Sequence, residues 1–569
     1  GGTTPGSASA PATDPPSTAT EADTKGVTFS EQSEAAGFTT PHSLQDLFGV
    51  QAQTSGAAAA DVFGTGRSDL YVTRVGAANS LYRNNGDGTF TDVAGDVGLE
   101  GPEPAKGSSA AAFADVNADG CPDLFVSGAQ RGRSALYVND CNGGFADETA
   151  SRGLGLYTGQ VYSALLRQDH GVTFADYDNN GTLDLLVLQW DPSFDDERSD
   201  GEGEPCLPAG NRQPSEDENR SRLWSNDGAG NFTDVTERMG LRLDALAGFT
   251  GQFSDVDGDT WPDLLIAGDF CTSRLYRNDE GTGFTDVTNA SGVGGEENGM
   301  GSVVSDVNGD GAPDWFVTSI GHPNPDEDCA GLTWNGCSGN HLYLNDGSGG
   351  FSNAADELGV QQGWWGWGAA IEDFSGDGQR EIVQANGFID PETRQQKYFT
   401  PEQIAVYDQF TEDPLRYWVP TDDGYRDAAD LVGLTNTDVT TCVVPLDYDG
   451  DGDLDVFVCR PGDTPLLFRN DRPADRHWVT VALEDPTTPG NAQGIGATVT
   501  ITSGSERDVG WIDTSGSFES QKPAERTVGV ASADPLTVEV TWPGDAAPEI
   551  FEGIAPDRRQ VLVRGASGA

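Results

Sequence analysis

Lysine is almost missing from this chain. Only Lys25, Lys106, Lys397 and Lys522 occur in 569 residues, and 32 basic residues face 92 acidic ones, for a formal net charge of −60. Such a surface repels phosphate backbones and anionic headgroups, so nucleic acid and acidic membranes are poor partners and cations good ones. Many carboxylates with so little lysine fit a halophilic protein, because molar salt screens charge within about 3 Å. An ordinary acidic secreted protein is the alternative. No run of 18 apolar residues occurs, so neither a transmembrane helix nor direct membrane insertion is expected. No CxxC pair occurs, which argues against zinc. Histidine is scarce: His42, His170, His322, His341 and His477 stand without a Ser or Cys partner pattern. No catalytic triad, phosphate loop or metalloprotease motif is visible, so no catalytic residue is assigned.

What is present is turn-forming and aromatic. The chain has 75 Gly and 31 Pro, with 25 Phe, 13 Tyr and 12 Trp, enough to build a core. Eight cysteines, an even number, fit an oxidising compartment. The first 25 residues, rich in Ser, Thr, Pro and Gly, read as a flexible tether. The Gly1-Gly2 start reads as a processed mature form, with lipid anchoring before processing as a further expectation.

One motif recurs seven times, with oxygen side chains at positions 1, 3, 5 and 9. The clearest copies are Asp255-Val-Asp257-Gly-Asp259 to Asp263 and Asp447-Tyr-Asp449-Gly-Asp451 to Asp455. The others carry Asp115, Asn117, Asp119 and Asp123; Asp176, Asp178, Asn180 and Asp184; Asp306, Asn308, Asp310 and Asp314; and Asp373, Ser375, Asp377 and Glu381. The first copy keeps Asp61 and Asp69, but Phe63 and Thr65 replace the middle ligands. Small or apolar residues precede each copy and a short apolar run follows, which makes each a loop between two β-strands.

Two signals recur in step. Leu-Tyr-x-Asn or Leu-Trp-x-Asn, a Gly-rich turn and a Phe form a hairpin, as in Leu81 to Phe90 and Leu223 to Phe232. A Phe-x-Asp segment ending in Gly-Leu follows. Four strands per repeat and seven repeats predict an all-β, seven-bladed β-propeller. Val27–Ser30 resembles the last-strand signal but precedes the first loop. It is expected to close the ring against residues 442–470. The loop starts lie 51 to 79 residues apart, and insertions at 189–221, 320–341 and 384–424 take up the extra length.

Three or four carboxylates around one point repel each other unless a cation joins them. An ion accepting six to eight oxygens in flexible geometry is Ca²⁺; magnesium is stricter, and transition metals want His or Cys. An EF-hand would need Glu at position 12 between helices. Position 12 is Ile266 in one clear copy and Val458 in the other. The loops are therefore expected to hold about six or seven Ca²⁺ ions, the number turning on the first copy with its Phe63 and Thr65.

These loops resemble FG-GAP/VCBS repeats, as in integrin α-chain propellers. Residues 477–565 resemble the ASPIC/UnbV domain, through His477-Trp478-Val479, Gly494-Ile495-Gly496-Ala497, Ser520-Gln521 and Trp542-Pro543-Gly544. The combination is similar to that of cartilage acidic protein, in a microbial, haloarchaeal relative. The resemblance implies a secreted calcium-binding propeller (residues 26–475) followed by a small β-domain (476–569). Alternating apolar and polar residues across 478–563 agree with a β-domain.

Cys442 and Cys459 flank the last loop on strands that should pair. Cys121 and Cys141 lie within one blade, Cys329 and Cys337 close a short loop, and Cys206 and Cys271 remain to pair by elimination. The Trp364-Trp365-Gly-Trp367 run reads as strand core, with a sugar platform as the alternative. Two functions are carried forward. The first is a non-enzymatic, extracellular or cell-surface calcium protein for cell adhesion or self-assembly into oligomers or a filament, contacting a surface protein or glycan. The second is an extracellular polysaccharide-binding or polysaccharide-degrading enzyme.

Overall fold

The computed structural model describes residues 19–42, 53–129, 132–158, 168–190, 219–321, 337–388 and 410–566. Cys206, Cys329, His322 and most of the three insertions lie outside the described residues.

The first two inner strands of the ring are built mostly from small residues. Ala57–Ala60 is entirely alanine, and Ser108–Ala114 is Ser-Ser-Ala-Ala-Ala-Phe-Ala. Small side chains suit strands that crowd round a central axis. Gly301 shows how close that approach is: a Cβ there would lie 2.3 Å from the Trp367 carbonyl oxygen of the next blade. Second strands such as Asp123–Gly128 and Asp184–Trp190 are buried along their whole length, because sheets cover both faces.

Among the described residues, seven blade sheets each hold four antiparallel strands, and in six of them these run in chain order from the inside outward. The first begins with Ala57–Ala60, Asp69–Val72, Ser80–Asn84 and Phe90–Asp92. The inner strand of each sheet packs against the next, and Ala57–Ala60 meets Val443–Leu446 to complete the circle. This is a β-propeller. The outermost strand of the last sheet is Phe29–Glu31, which pairs antiparallel with Leu466–Asn470, Phe29 opposite Asn470. The ring therefore closes through the amino-terminal strand, as its sequence signal implies.

The Gly-Leu signal, Gly-Val at Gly292-Val293, marks a one-turn helix and its stop. Gly98, Gly292 and Gly433 follow the helices Ala94–Val97, Thr288–Ser291 and Ala429–Val432 with left-handed φ of 83°, 78° and 87°. Glycine takes this conformation without strain. Residues 19–25, expected as tether, instead form turns: Asp23 accepts the Thr20 N–H at 2.7 Å, and Ala19 is buried in the core that contains Phe29 and Phe374. Only an apolar side chain at 19 and a turn-forming Asp at 23 distinguish this stretch from the Ser/Thr/Pro/Gly run before it.

Disulfides join Cys121 to Cys141 and Cys442 to Cys459, with Cα atoms 5.7 and 5.0 Å apart. Cys271 and Cys337 are also disulfide-bonded.

The carboxy-terminal domain has a three-stranded sheet centred on His477–Glu484 and a four-stranded sheet centred on Thr498–Ser503 and Leu536–Thr541. They share a core that includes Val481, Ile501, Val538 and Trp542. The domain sits on the face carrying the acidic loops. A Cβ on Gly452 of the last loop would fall within 2.0 Å of the Trp478 ring.

This domain is not a simple appendage. Ser520–Gln521 runs parallel to Ala57–Ala58, adding a fifth strand on the axial side of the first blade. Gln521 Nε2 donates to the Phe113 carbonyl at 2.9 Å, and its Oε1 accepts the Phe113 N–H at 2.7 Å. Glu519 is buried, accepts the Ser55 N–H at 2.8 Å and lies 2.6 Å from His170 Nδ1. Phe518 packs against Phe249 and Trp367. The segment thus fills the axis of the ring. The tryptophan run serves this aromatic cluster: Trp365 and Trp367 are buried in it and Trp364 packs against it.

Candidate metal centres

Each acidic loop leaves an inner strand and returns into the second strand of the same sheet, so its ends are held by strand pairing. Within the loop the backbone winds around its own carboxylates. The position-1 carboxylate accepts N–H groups from positions 5 and 6, as Asp176 does from Asn180 and Gly181 at 2.9 Å. The position-5 oxygen accepts the N–H of position 7: Asp259 from Trp261 at 2.9 Å, Asp310 from Ala312 at 2.9 Å. The position-9 carboxylate accepts the N–H of position 2: Asp263 from Val256 at 3.0 Å, Asp455 from Tyr448 at 3.1 Å.

Three loops gather three carboxylate oxygens to within 4.8 Å of one another: Asp176, Asp178 and Asp184; Asp255, Asp257 and Asp259; Asp447, Asp449 and Asp455. The other loops bring no such trio together among the described residues. Two of these hold Asn117 or Asn308 at position 3, another holds Ser375, and the first holds Phe63. Asp119 lies instead beside the Cys121–Cys141 disulfide.

Burial makes these carboxylates costly to ionise. It pushes Asp123, Asp176 and Asp447 up to about 7 and Asp263 to about 8. Burial, reinforced by neighbouring Asp charges, holds Asp184 and Asp455 well above the carboxylate range. Buried oxygens of Asp178 and Asp257 have no hydrogen-bond partner. An all-oxygen donor set, partly unpartnered and short of positive charge, fits a hard cation.

The first loop differs. Asp61 accepts the N–H groups of Thr65 and Gly66 at 2.7 Å, so the turn is kept. At position 3, however, the Phe63 ring lies under the Arg83 guanidinium, 4.7 Å from its carbon. A resident positive charge there opposes a second cation. Burial still raises Asp69 to about 6.

The Asn of the hairpin motif has a role its recurrence signalled but its spacing did not reveal. Its backbone N–H donates to the position-9 carboxylate of its own blade: Asn226 to Asp184, Asn278 to Asp263 and Asn470 to Asp455, each at 2.8 Å. Its Nδ2 then reaches the position-2 carbonyl of the preceding loop. Asn226 bonds Val116, Asn278 bonds Tyr177 and Asn84 bonds Tyr448 at 2.8 Å; Asn345 bonds Val256 and Asn470 bonds Phe374 at 2.9 Å. Each of these five residues ties one loop to the next around the ring.

The FG-GAP-like repeat model matches residues 61–126, 115–187 and 255–317, spanning the first five loops, and the ASPIC and UnbV model matches residues 487–569. No curated protein matches the chain. Among solved structures, a lectin of Agrocybe aegerita specific for non-reducing terminal N-acetylglucosamine is 15% identical over 72% of this chain and 93% of its own, with TM-score 0.37. The GH74 enzyme of Niastella koreensis is 12% identical over 90% and 68%, with TM-score 0.38. Neither value is high enough to carry an argument about function.

Proposed function

We propose that this chain, with its FG-GAP-like repeats and ASPIC and UnbV domain, is an extracellular calcium-loaded propeller that works as a rigid binding or assembly module rather than as an enzyme. The repeats and the disulfides favour an extracellular setting, and no helix among the described residues is long and apolar enough to cross a membrane. The observation that carries the reading is the set of buried, strand-anchored carboxylate trios in the third, fourth and seventh loops. Ca²⁺ there neutralises groups that burial would otherwise force to take up protons. Its role is structural: it holds the loops that the asparagines link round the ring. Asp115, Asn117, Asp119 and Asp123 would hold a further ion, as would Asp306, Asn308, Asp310 and Asp314, and Asp373, Ser375, Asp377 and Glu381.

The non-enzymatic reading draws support from the axis of the ring. It is filled by Phe518, Glu519 and Gln521 of the same chain. Adhesion or self-assembly then falls to the outer surfaces. Sedimentation of the full chain with calcium and with EGTA, in molar salt, tests assembly. Calcium-dependent species larger than one chain are expected. A monomer in both conditions up to the highest soluble concentration removes self-assembly, and hydrolysis or elimination products from a polysaccharide panel would replace the reading with an enzymatic one.

A further inference from the structure

We infer that the sixth acidic loop is a cation-dependent latch that holds the carboxy-terminal domain on the propeller. The inference rests on the calcium reading above and extends it from loop stability to domain docking.

The sixth loop departs from its siblings at three positions. Position 8 is Pro or Leu in most of them but Arg380 here, and Arg380 is buried. Its guanidinium pairs with Asp508 of the carboxy-terminal domain, which also binds Arg526. Position 9 is Glu381 rather than Asp, fully buried, with Oε2 accepting the Phe374 N–H at 2.8 Å. Position 3 is Ser375, whose buried Oγ has no hydrogen-bond partner.

The position-1 carboxylate is shared between the two domains. Asp373 Oδ2 accepts the Gly378 N–H of its own loop at 3.0 Å and the Gly529 N–H of the other domain at 2.7 Å. The approach is possible only because residue 529 is glycine: a Cβ there would lie 2.2 Å from the Gly376 backbone. Beside this contact, Lys522 joins Glu372 of the propeller at 3.0 Å to Asp513 of the carboxy-terminal domain at 3.2 Å.

Charge count shows why a cation matters here. Glu372, Asp373, Asp377, Glu381, Asp453, Asp508 and Asp513 face Arg380, Arg472, Lys522 and Arg526, seven negative groups against four positive. A buried network with surplus charge of one sign favours separation of the groups that carry it. A divalent cation bound by Asp373, Ser375, Asp377 and Glu381 removes most of the surplus and fixes the Asp373 carboxylate that accepts from Gly529. Loop affinity and domain docking are then linked, and linkage is reciprocal.

Hydrogen exchange on the full chain tests this. In calcium, Asp377→Asn is expected to speed exchange of residues 525–530 by about tenfold, within the usual range of coupling. Strand Glu381–Asn386 should stay within about twofold of wild type, and Asp310→Asn, the same change in the fifth loop, should leave 525–530 protected. Unchanged protection in Asp377→Asn overturns the latch. So does equal loss in Asp310→Asn, or simultaneous opening of 381–386, which would be blade unfolding. The reverse direction is read by titrating calcium into Asp508→Asn, outside the loop: one site should weaken by about tenfold, and an unchanged isotherm counts against the latch. Absence of calcium uptake by wild type overturns the calcium reading itself. Uptake with calcium-independent protection of 525–530 overturns only the latch.

Discussion

Replacing Asn226 by Ala isolates what the loop-to-loop asparagines contribute. The Asn226 side chain is buried and makes four hydrogen bonds: Nδ2 to the Val116 and Leu183 carbonyls at 2.8 and 3.0 Å, and Oδ1 from the Gly228 and Gly230 N–H groups at 3.1 Å. Asn139 occupies the same hairpin position next to the worn first loop and makes two: Nδ2 to Pro122 at 3.1 Å and Oδ1 from Cys141 at 3.0 Å. At about 1 kcal/mol net per buried hydrogen bond, Asn226→Ala should cost about 4 kcal/mol and Asn139→Ala about 2 kcal/mol. A propeller of roughly 450 residues has an unfolding entropy of about 1 kcal/mol/K. The expected losses in melting temperature are therefore about 4 °C and about 2 °C by scanning calorimetry in saturating calcium. Asn85→Ala, in an exposed turn bonded to Thr89 and Thr91, should change it by less than about 1 °C. Asn226 exceeds Asn139 by the cross-blade bond and one further loop N–H, so equal losses for the two variants would refute the idea that these extra bonds stabilise the ring.

Chelation should lower the melting temperature of the wild type by many degrees, since each ion held at 100 times its dissociation constant adds about 2.7 kcal/mol; an unchanged melting curve removes the structural calcium sites. Acidification should destabilise the ring through His42. Burial, with Arg74 nearby, lowers its pKa to about 3, so between about 6.5 and 3 the unfolded chain binds a proton that the fold does not, and stability falls as pH drops. His42→Gln should flatten that part of the pH–stability curve, and an identical acid slope would show that His42 does not report. Opening the Cys442–Cys459 bridge with a double Ser substitution should cost about 3 kcal/mol, the chain-entropy value for a loop of that length, read as an earlier midpoint in denaturant. Gly452→Ala should loosen the carboxy-terminal domain by driving a methyl into the Trp478 ring; an unchanged proteolysis pattern at 471–476 would contradict that packing.

The repeats were legible because the same physical demand recurs seven times. Every blade needs an inner strand, an oxygen-rich loop, a buried second strand and a hairpin. Even the closing strand could be read, since Phe29 and Ser30 carry the outer-strand signal ahead of any partner. What could not be read is what occurs once. Ser520 and Gln521 are two polar residues in a turn-rich stretch, and nothing local says they will line a ring formed mostly 50 to 400 residues earlier. Nothing near Arg380 in the chain points to its role, because its partner Asp508 belongs to the other domain. The turn at residues 19–25, anchored by buried Ala19 and Thr24, was concealed by a composition shared with the segment before it. In the first loop, Phe63 signalled a lost ligand, but only the fold shows Arg83 lying over it.

The pairing of Phe29 with Asn470 sets an order of events for the newly made chain. The strand synthesised first is seated last, after some 440 residues that separate it from its partner. Until then the seventh sheet has an open edge, and the axis stays unfilled until residues 518–521 have also emerged. Local blades can form early, but ring completion is a long-range, slow step during which unpaired edges are exposed to other chains. A chain stalled before Leu466–Asn470 is made would leave Phe29–Glu31 without its partner and the Val443–Leu446 and Asp455–Val458 pair with an open edge, which makes it a substrate for aggregation or proteolysis rather than a smaller version of the protein.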